Sequence, residues 1–426
     1  MLKRLSKAHA KFKSVREKIE IIGGETDFCA ERYGFRCNNG GIEPSYYMQK
    51  YVPSALCYQT EYAQTLTLCD GVAFYAGADS KLYVWRPRVS ARPLALMSFS
   101  PGNYCFHHYV YDGKNVEVII RGTKATIISK DLKMQTKTLG KSLSDAVFHC
   151  GRIFGIDSTD KYVIRWSGYA IDDWTEDIDG AGYLRLDTGF GKLLNLYVLN
   201  EKIIALRESG LNVISVLGDA RHMRMNVEYK FGIPTPVEGN SIILRGQLWI
   251  CTAKGLYVFD GSEVKKAPFD PIMQEFEYKL GKPQASDGRY IYYTTAKGSD
   301  AYLYKYDTET GGGTLFGKGC RVYFEESGNA YCFKGNNVYQ ILPGGNDLDC
   351  VWTSKPFTFE GRTAVLKSLN VEGGGDPQVE INCDGRIVNA AGTGKHCLCE
   401  SGKSFTFTVA GNCSVSSMTA EWEVLK

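Results

Sequence analysis

Short apolar segments separated by turn residues recur along most of the chain and predict β-strands. The recurring unit starts with a turn that usually ends in glycine, continues with a short strand and a tight turn, and ends with a second strand rich in Leu, Tyr and Val. Gly, Asn and Asp suit the positive φ angles of tight hairpin turns, and aromatic and β-branched residues favour strands. Seven copies are present, with second strands at residues 82–85, 125–128, 162–166, 211–214, 256–259, 302–306 and 338–341.

The spacing of this unit predicts a β-propeller. The residues that mark the starting turn lie 38 to 50 positions apart, at 71, 113, 151, 201, 246, 288 and 328. Several short strands in each period of about 40–50 residues are typical of a propeller blade, a small twisted sheet that must pack between neighbours to cover both faces. Seven units favour seven blades, and six blades plus an accessory hairpin is the alternative. We expect the strand at 65–68 to close the ring by completing the last blade.

Three parts of the chain follow from where the repeat begins and ends. Residues 1–50 hold a basic segment and an irregular Gly- and Asn-rich stretch, which we expect to be an extended arm lying on the propeller. Residues 51–345 form the predicted propeller, which ends where a Pro and two Gly interrupt the pattern. Residues 346–426 keep short alternating strands and glycine turns without the repeat, which predicts a small C-terminal β-sandwich.

Charge is concentrated at one end of the chain. The formal net charge is only +3, and the first 20 residues hold seven Lys or Arg and two Asp or Glu, so the remaining chain carries −2. Stable nucleic-acid binding is therefore not expected, because neutralising phosphates needs a basic excess. The basic segment is interpreted as a solvated terminus, with an amphipathic helix that docks on a partner and contact with nucleic acid as alternatives. No secretory signal or apolar run of about 18 residues is present, which indicates synthesis in the cytoplasm and no membrane span.

Cysteine usage points to packing more than to chemistry. The 14 cysteines are widely spread and form no CxxC pair, so we expect reduced, buried thiols and a reducing host interior. The densest group is Cys397 and Cys399 beside His396, with Cys383 and Cys413 in the same predicted domain. On a strand, Cys397 and Cys399 share one face and His396 points away. Buried thiols are the first interpretation, and an adventitious disulfide or a zinc site remains open.

The search for catalytic residues is negative. The sequence contains no HExxH, GxSxG or P-loop motif, and the adjacent His107 and His108 point to opposite faces of a predicted strand. An acidic stretch with carboxylates at 172, 173, 176, 177 and 179 fills the long insertion before the fourth unit. It is interpreted as a solvated loop, with calcium binding or a glycosidase carboxylate pair as alternatives. We assign no catalytic, cofactor-binding or metal-ligating residue.

Signatures of several well-known propellers are also missing. There is no GH…WD pair, no repeated GG of the kelch type and no sialidase box. Residues 306–311, YDTETG, resemble the strand and turn of quinoprotein and kelch blades. Because this motif occurs once, we interpret it as a hairpin turn.

One resemblance is more specific. A first group of motifs consists of IRWSG at 164–168, DW at 173–174, GAGYLRL at 180–186 and GKLLNL at 191–196. A second group consists of WTSKPFTF at 352–359 followed by LKSLNV at 366–371. In this order the motifs resemble β-propeller proteins of tailed-bacteriophage particles, in the tail or the nozzle-like head-to-tail region. The resemblance covers about residues 150–260 and 350–426. The N-terminal GG…N-x-x…R-P-G motif of that family is matched in this chain only by GG at 23–24 and NNG at 38–40.

The resemblance implies a structural rather than an enzymatic function. It implies assembly into a homo-oligomeric ring with other virion proteins, built in the bacterial host cytoplasm, in which DNA passes a wall that does not grip it. Function would then lie in shape and interface area, without a cofactor. A cellular propeller that serves as a protein-interaction scaffold is the alternative, and a carbohydrate-active propeller using the loop at 172–179 is a third.

Overall fold

The computed structural model describes most of the chain between residues 15 and 425. The described residues are 15–22, 29–33, 35–38, 41–44, 46–52, 64–69, 72–76, 81–85, 94–98, 105–111, 114–129, 131, 133–176, 180–218, 223–252, 254–268, 284–286, 288–297, 300–309, 311–326, 329–334, 337–343 and 350–425. Regular structure in these ranges consists of strands, so the predicted all-β class is confirmed. No helix in the same ranges is long and apolar enough to cross a membrane.

The part of the chain before the first blade contributes strands of its own. They are β1 (Val15–Ile22), β2 (Cys29–Tyr33), β3 (Phe35–Asn38), β4 (Gly41–Pro44) and β5 (Tyr46–Val52). The strands β1, β2 and β4 pair with strands of the C-terminal region, and β3 pairs with β4. The strands β2 and β5 also pair with strands of the propeller.

Seven blades follow, each an antiparallel sheet whose strands pair in chain order. Blades 1 to 3 consist of β6 (Gln64–Cys69), β7 (Val72–Ala76), β8 (Lys81–Trp85) and β9 (Leu94–Ser98); of β10 (Cys105–Tyr111), β11 (Lys114–Ser129) and the start of β12 (Met134–His149); and of the rest of β12, β13 (Arg152–Asp157), β14 (Val163–Trp166) and β15 (Gly182–Arg185). Blades 4 and 5 consist of β16 (Leu193–Leu199), β17 (Lys202–Arg207), β18 (Gly210–Leu217) and β19 (Arg224–Gly232), and of β20 (Pro236–Leu244), β21 (Gln247–Thr252), β22 (Gly255–Phe259) and β23 (Val264–Lys266). Blades 6 and 7 consist of β24 (Gln284–Ser286), β25 (Tyr290–Lys297), β26 (Asp300–Asp307) and β27 (Gly313–Phe316), and of β28 (Cys320–Glu326), β29 (Asn329–Lys334) and β30 (Asn337–Pro343).

Blades 2 and 3 share one hydrogen-bonded sheet through two long strands. The first half of β11 pairs with β10, and its second half pairs with the start of β12. The change of partner lies at Gly122, whose φ is 54°. The tight turn predicted at 122–124 is wrong, because these residues lie inside one continuous strand. The end of β12 then pairs with β13.

The ring closes through inner strands and through β5. The first strand of each blade lies beside the first strand of the next, in the order β6, β10, β12, β16, β20, β24 and β28, and β28 returns to β6. The strand β5 pairs antiparallel with β30 and completes blade 7, with Gln49 opposite Gln340. The prediction that residues 65–68 complete the last blade is therefore wrong, because they lie in β6 at the start of blade 1.

Side chains on both faces of a blade are buried between neighbours. All six residues of β13 are buried, because alternate side chains enter different interfaces. Ile153 belongs to an apolar cluster with Val118 of blade 2, and Phe154 belongs to one with Ile203 of blade 4. Apolar side chains of β13 therefore fill both interfaces of blade 3.

The C-terminal region is the predicted β-sandwich. Its strands are β31 (Val351–Ser354), β32 (Phe357–Thr358), β33 (Ala364–Gly375), β34 (Gln378–Cys383), β35 (Arg386–Ala391), β36 (Gly394–Gly402), β37 (Ser404–Ala410) and β38 (Cys413–Val424). One sheet runs β36–β33–β38, and the other contains β31 and β32 beside β37, then β34 and β35. Buried and exposed residues alternate along β34. The indole of Trp422 fills the core between the sheets, 4.6 Å from the ring of Phe405 and 5.0 Å from that of Phe359.

The N-terminal region differs from the predicted extended arm. Its described residues are paired strands: β1 and β4 pair with β38, and β3 pairs with β4. The boundary expected after residue 50 falls inside β5, and the amphipathic-helix alternative is wrong for residues 15–20, which lie in β1. Residues 1–14 and the boundary predicted at 345–346 lie outside the described residues.

Closure by β5 gives a first prediction. Replacing both Gln49 and Lys50 by proline should open blade 7, because one of two successive N–H groups of a strand points to its paired neighbour and proline has none. We expect a lower thermal midpoint and faster proteolysis of blade 7, measured by differential scanning fluorimetry and limited trypsin digestion. The matched Gln49→Ala, Lys50→Ala variant should behave like the parent. Equal stability of both double variants would show that β5 does not hold the ring closed.

Candidate functional site

The acidic insertion of blade 3 is paired with cations and is not an open carboxylate site. The carboxylate of Asp172 lies 2.9 Å from the ammonium of Lys137. The carboxylate of Glu176 lies 3.1 Å from the guanidinium of Arg165 and 3.5 Å from the ammonium of Lys141. Residues 177 and 179 lie outside the described part. The third described carboxylate, that of Asp173, accepts a hydrogen bond from the N–H of Thr175 at 3.1 Å. The described carboxylates are therefore not gathered as a calcium site or a glycosidase pair.

The insertion is anchored by apolar side chains between blades 2 and 3. Ile171 and Trp174 are buried in the same cluster as Val118 and Ile127, and the indole N–H of Trp174 donates to the carbonyl of Ile171 at 3.1 Å. A methyl group at Gly140 would lie 2.8 Å from Cβ of Trp174. The glycine thus leaves the space in which the insertion seats its tryptophan.

A buried arginine fastens both ends of the insertion. Nη1 of Arg152, at the start of β13, donates to the carbonyl of Ser167 at 2.8 Å and to that of Gly180 at 3.0 Å. Its guanidinium also lies 4.4 Å from the ring centroid of Tyr169. Arg207 is fully buried in blade 4 and likewise donates to a backbone carbonyl, that of Gly191, at 3.0 Å from Nε. The sequence analysis missed both arginines, and their only signal was a charged residue inside an apolar repeat strand.

Asp157 organises the turn between β13 and β14. Its Oδ1 accepts hydrogen bonds from the backbone N–H and the hydroxyl of Thr159, at 2.8 and 2.6 Å, and its Oδ2 accepts one from Nε of Arg165 at 2.5 Å. Burial opposes ionisation of this carboxyl, but the hydrogen bonds outweigh it and lower its pKa to about 2. The same carboxylate-centred turn recurs at Asp260 and Asp307, where Oδ1 accepts from a backbone N–H two residues on.

The hairpin interpretation of residues 306–311 is confirmed. The N–H of Gly311 donates to the carbonyl of Asp307 at 2.9 Å, and the hydroxyl of Thr308 donates to the carbonyl of Arg289 at 2.6 Å. Gly311 has a φ of 72°, which favours glycine.

The four cysteines of the sandwich and His396 are not gathered as the ligands of one metal ion. Cys397 and Cys399 are exposed on the edge strand β36, so the buried-thiol interpretation is wrong for these two. His396, which precedes Cys397, is half-buried, with Nε2 3.1 Å from the carbonyl of Gly392. The predicted shared face of the two cysteines is confirmed. Cys383 and Cys413 are buried elsewhere in the sandwich, and the described part of the chain contains no cluster of three or more His, Cys, Asp or Glu suited to a metal ion. His107 and His108 lie in β10.

The propeller and the sandwich share one sheet. The short strand β2 pairs with β27 of blade 6, Tyr33 opposite Leu315, and on its other side with β31 of the sandwich. The result is a continuous ten-stranded sheet. One apolar cluster also spans the junction, with Trp249 and Tyr306 of the propeller and Trp352 of the sandwich. This junction is the main candidate functional feature, because strand pairing and shared apolar side chains connect the two domains.

Three exposed tyrosines mark the periphery of blades 3 and 4. Tyr169, Tyr183 and Tyr229 are each 56% exposed. Tyr183 lies on β15, with the guanidinium of Arg165 5.5 Å from its ring, and Tyr229 lies on β19, with the ammonium of Lys202 at 5.8 Å. Tyr and Arg are enriched at protein interfaces. We call the outer edge of blades 3 and 4, formed by β15 with Tyr183 and by β19 with Tyr229, the tyrosine face.

Comparisons with known proteins give structural likeness only. No family model and no curated protein matches the chain. It is similar to BBS1N, solved in complex with ARL6DN, at 10% identity over 70% of this chain and 96% of that one, with a TM-score of 0.44. It is also similar to U3-55K, at 11% identity over 67% and 99% of the two chains, with a TM-score of 0.37. Both are β-propeller proteins, and likeness at this level says nothing about what this chain binds.

The Asp157 turn predicts a pH-dependent contribution to stability. Because the pKa of this carboxyl is lowered on folding, its stabilisation is complete above about pH 4 and is lost as the pH falls through about 2. Asp157→Asn should therefore destabilise the protein by about 2 kcal/mol at pH 7, and the difference should shrink toward pH 2. Urea midpoints measured from pH 2 to 7 would show this. Asp172→Asn, at a more exposed pair, should cost under about 1 kcal/mol at every pH; equal profiles for the two variants would contradict the assignment.

The Arg152 contacts predict a loss of stability in the insertion when this side chain is replaced. Arg152→Met fills a similar volume but leaves the carbonyls of Ser167 and Gly180 without this donor, at a cost of about 1–3 kcal/mol. We expect a lower urea midpoint and faster chymotrypsin cleavage at Trp174. The control is Arg185→Met, which removes an exposed ion pair with Asp160 and should leave the urea midpoint nearly unchanged. A protected insertion in the Arg152 variant would show that the loop does not depend on this residue.

Proposed function

We propose that the protein is a non-enzymatic structural component of a tailed-phage or prophage particle, located in a ring of the tail or head-to-tail region. The observation that carries this proposal is the shared sheet of blade 6 and the sandwich. A wall element acts through shape, so its two domains must keep a fixed relative position under load. Continuous backbone pairing through β2 and the apolar cluster around Trp352 supply that rigidity.

The motif order supports the same assignment. The blade 3 and blade 4 motifs at 164–196 and the SKPF entry at 354–357 fall in order on either side of the propeller's second half, as in the phage proteins they resemble. The insertion between these blades holds a packed tryptophan and paired carboxylates, which suits a structural element better than a catalytic one. The low net charge suits a wall that DNA passes without being held.

The tyrosine face is the surface we assign to contact between subunits. Its two outer strands carry exposed Tyr183 and Tyr229 beside cationic side chains. Aromatic residues of this kind dominate binding energy at interfaces because they bury a large area at low entropic cost. A ring built by repeating one heterologous contact needs such a surface on every copy.

Assembly tests the proposal. The full chain, alone or produced together with the virion proteins encoded beside it, should form a closed ring, measured by native mass spectrometry and negative-stain electron microscopy. Tyr183→Ser with Tyr229→Ser should weaken assembly at least about tenfold, whereas Ile387→Ser, at an exposed sandwich residue, should not. A stable monomer that captures one soluble cellular protein would instead indicate a cellular scaffold. In that case, genes for terminase, portal and tail proteins should not lie near the gene for this protein.

A further inference from the structure

Two buried thiols meet inside the closing blade. Cys320 is the first residue of β28 and Cys332 lies in β29, and both side chains are fully buried. Their sulfur atoms are 3.0 Å apart. Even carbon atoms, which are smaller, prefer about 3.5–4.0 Å when they are not bonded. The two sulfurs are thus held closer than ordinary packing requires.

The register of the hairpin explains this approach. Cys320 lies opposite Lys334, whereas Cys332 lies opposite Tyr323, so the cysteines are diagonal neighbours. Diagonal side chains on a regular ladder stand about 7–8 Å apart. Here the register shifts between Cys320 and Val322, and such a bulge bends its strand and re-aims the side chains beside it.

We propose that Cys320 and Cys332 form a disulfide that locks blade 7. The surroundings favour a compact bond: the pair lies in an apolar cluster with Leu303, Phe316 and Ile341. The bond is a property of the single chain, so it stands or falls independently of ring assembly and of the virion function.

The location of the pair gives the bond a consequence. The strand β28 lies beside β6 of blade 1 and beside β24 of blade 6, so it lies at the seam where the ring closes. The strand β29 pairs with β30, which pairs with β5. A bond between β28 and β29 therefore ties the inner side of the seam covalently to the layers that hold the N-terminal strand.

The chemistry is thiol–disulfide exchange with a small-molecule disulfide such as oxidised glutathione. One protein thiolate attacks the glutathione disulfide and expels one glutathione thiolate, and the second protein thiolate then displaces the other glutathione. Two protein thiols are oxidised and two glutathione thiols form. Burial raises the pKa of the Cys332 thiol, and its contact with Cys320 adds to this. The host cytoplasm keeps thiols reduced, so we expect the bond only when the chain folds under an oxidising glutathione poise. Because exchange needs thiolate and access, the bond then forms before blade 7 closes and resists reduction afterwards.

Peptide mapping tests the bond directly. The full chain is unfolded, refolded in a glutathione redox buffer, blocked with N-ethylmaleimide and digested with trypsin without reduction. Cleavage after Lys318, Arg321 and Lys334 separates the cysteines, so a disulfide appears as the peptide 319–321 linked to 322–334. We expect this linked peptide in the refolded wild type and in the control Cys251→Ala. Recovery of both peptides as separate maleimide adducts from folded protein would overturn the proposal.

Stability measurements test the lock with the same protein in two redox states. The equilibrium ratio of folded to unfolded protein in urea should be about tenfold higher or more for the oxidised wild type than after refolding in dithiothreitol. Cys320→Ala and Cys332→Ala should each abolish this redox difference, and Cys251→Ala should keep it. A redox difference that persists in both blade 7 variants would place the responsible bond elsewhere.

Discussion

Every blade buries apolar side chains on both faces, and this constraint governs the rest of the molecule. β13 shows it most clearly, since neighbouring residues Ile153 and Phe154 belong to different interblade clusters. A single blade would leave such a face in water, at about 25 cal/mol for each Å² of apolar surface. Blades 1 and 7 face the same penalty unless they meet, so ring closure is a condition of folding rather than an addition to it.

The N-terminal part of the chain supplies the strand that closes the ring. Because β5 supplies the outer strand of blade 7, the first and last parts of the propeller interlock, and neither blade ends at a chain terminus. The same part also supplies β1, which runs along β38, and β2, which joins blade 6 to the sandwich. The entropic cost of such long-range pairing grows only slowly with loop length. The slow step is the search, because these contacts link opposite ends of the chain.

The sequence predicted the features that rest on local pairing. Hairpins join residues a few positions apart, so the repeat, the hairpin turn at 306–311 and the short alternating strands of the C-terminal region are visible as patterns in one segment. The roles of β1, β2 and β5 were not visible, because Val15 pairs with Val424 and Gln49 with Gln340, and no local pattern encodes a partner so distant. The same reason explains why residues 65–68 seemed suited to closing the ring.

The insertion of blade 3 illustrates the second limit of sequence reasoning. Its carboxylates look available in the sequence, yet Lys137, Lys141 and Arg165 reach them from other strands. One cation fixes the shape of the loop, because Arg152 donates hydrogen bonds to the backbone carbonyls at its two ends. A charge buried without such partners would be costly, so this arginine is tolerated only while the insertion keeps its shape. Loop and arginine thus stabilise each other, and the ion pairs of Asp172 with Lys137 and of Glu176 with Arg165 attach the loop to strands of blades 2 and 3.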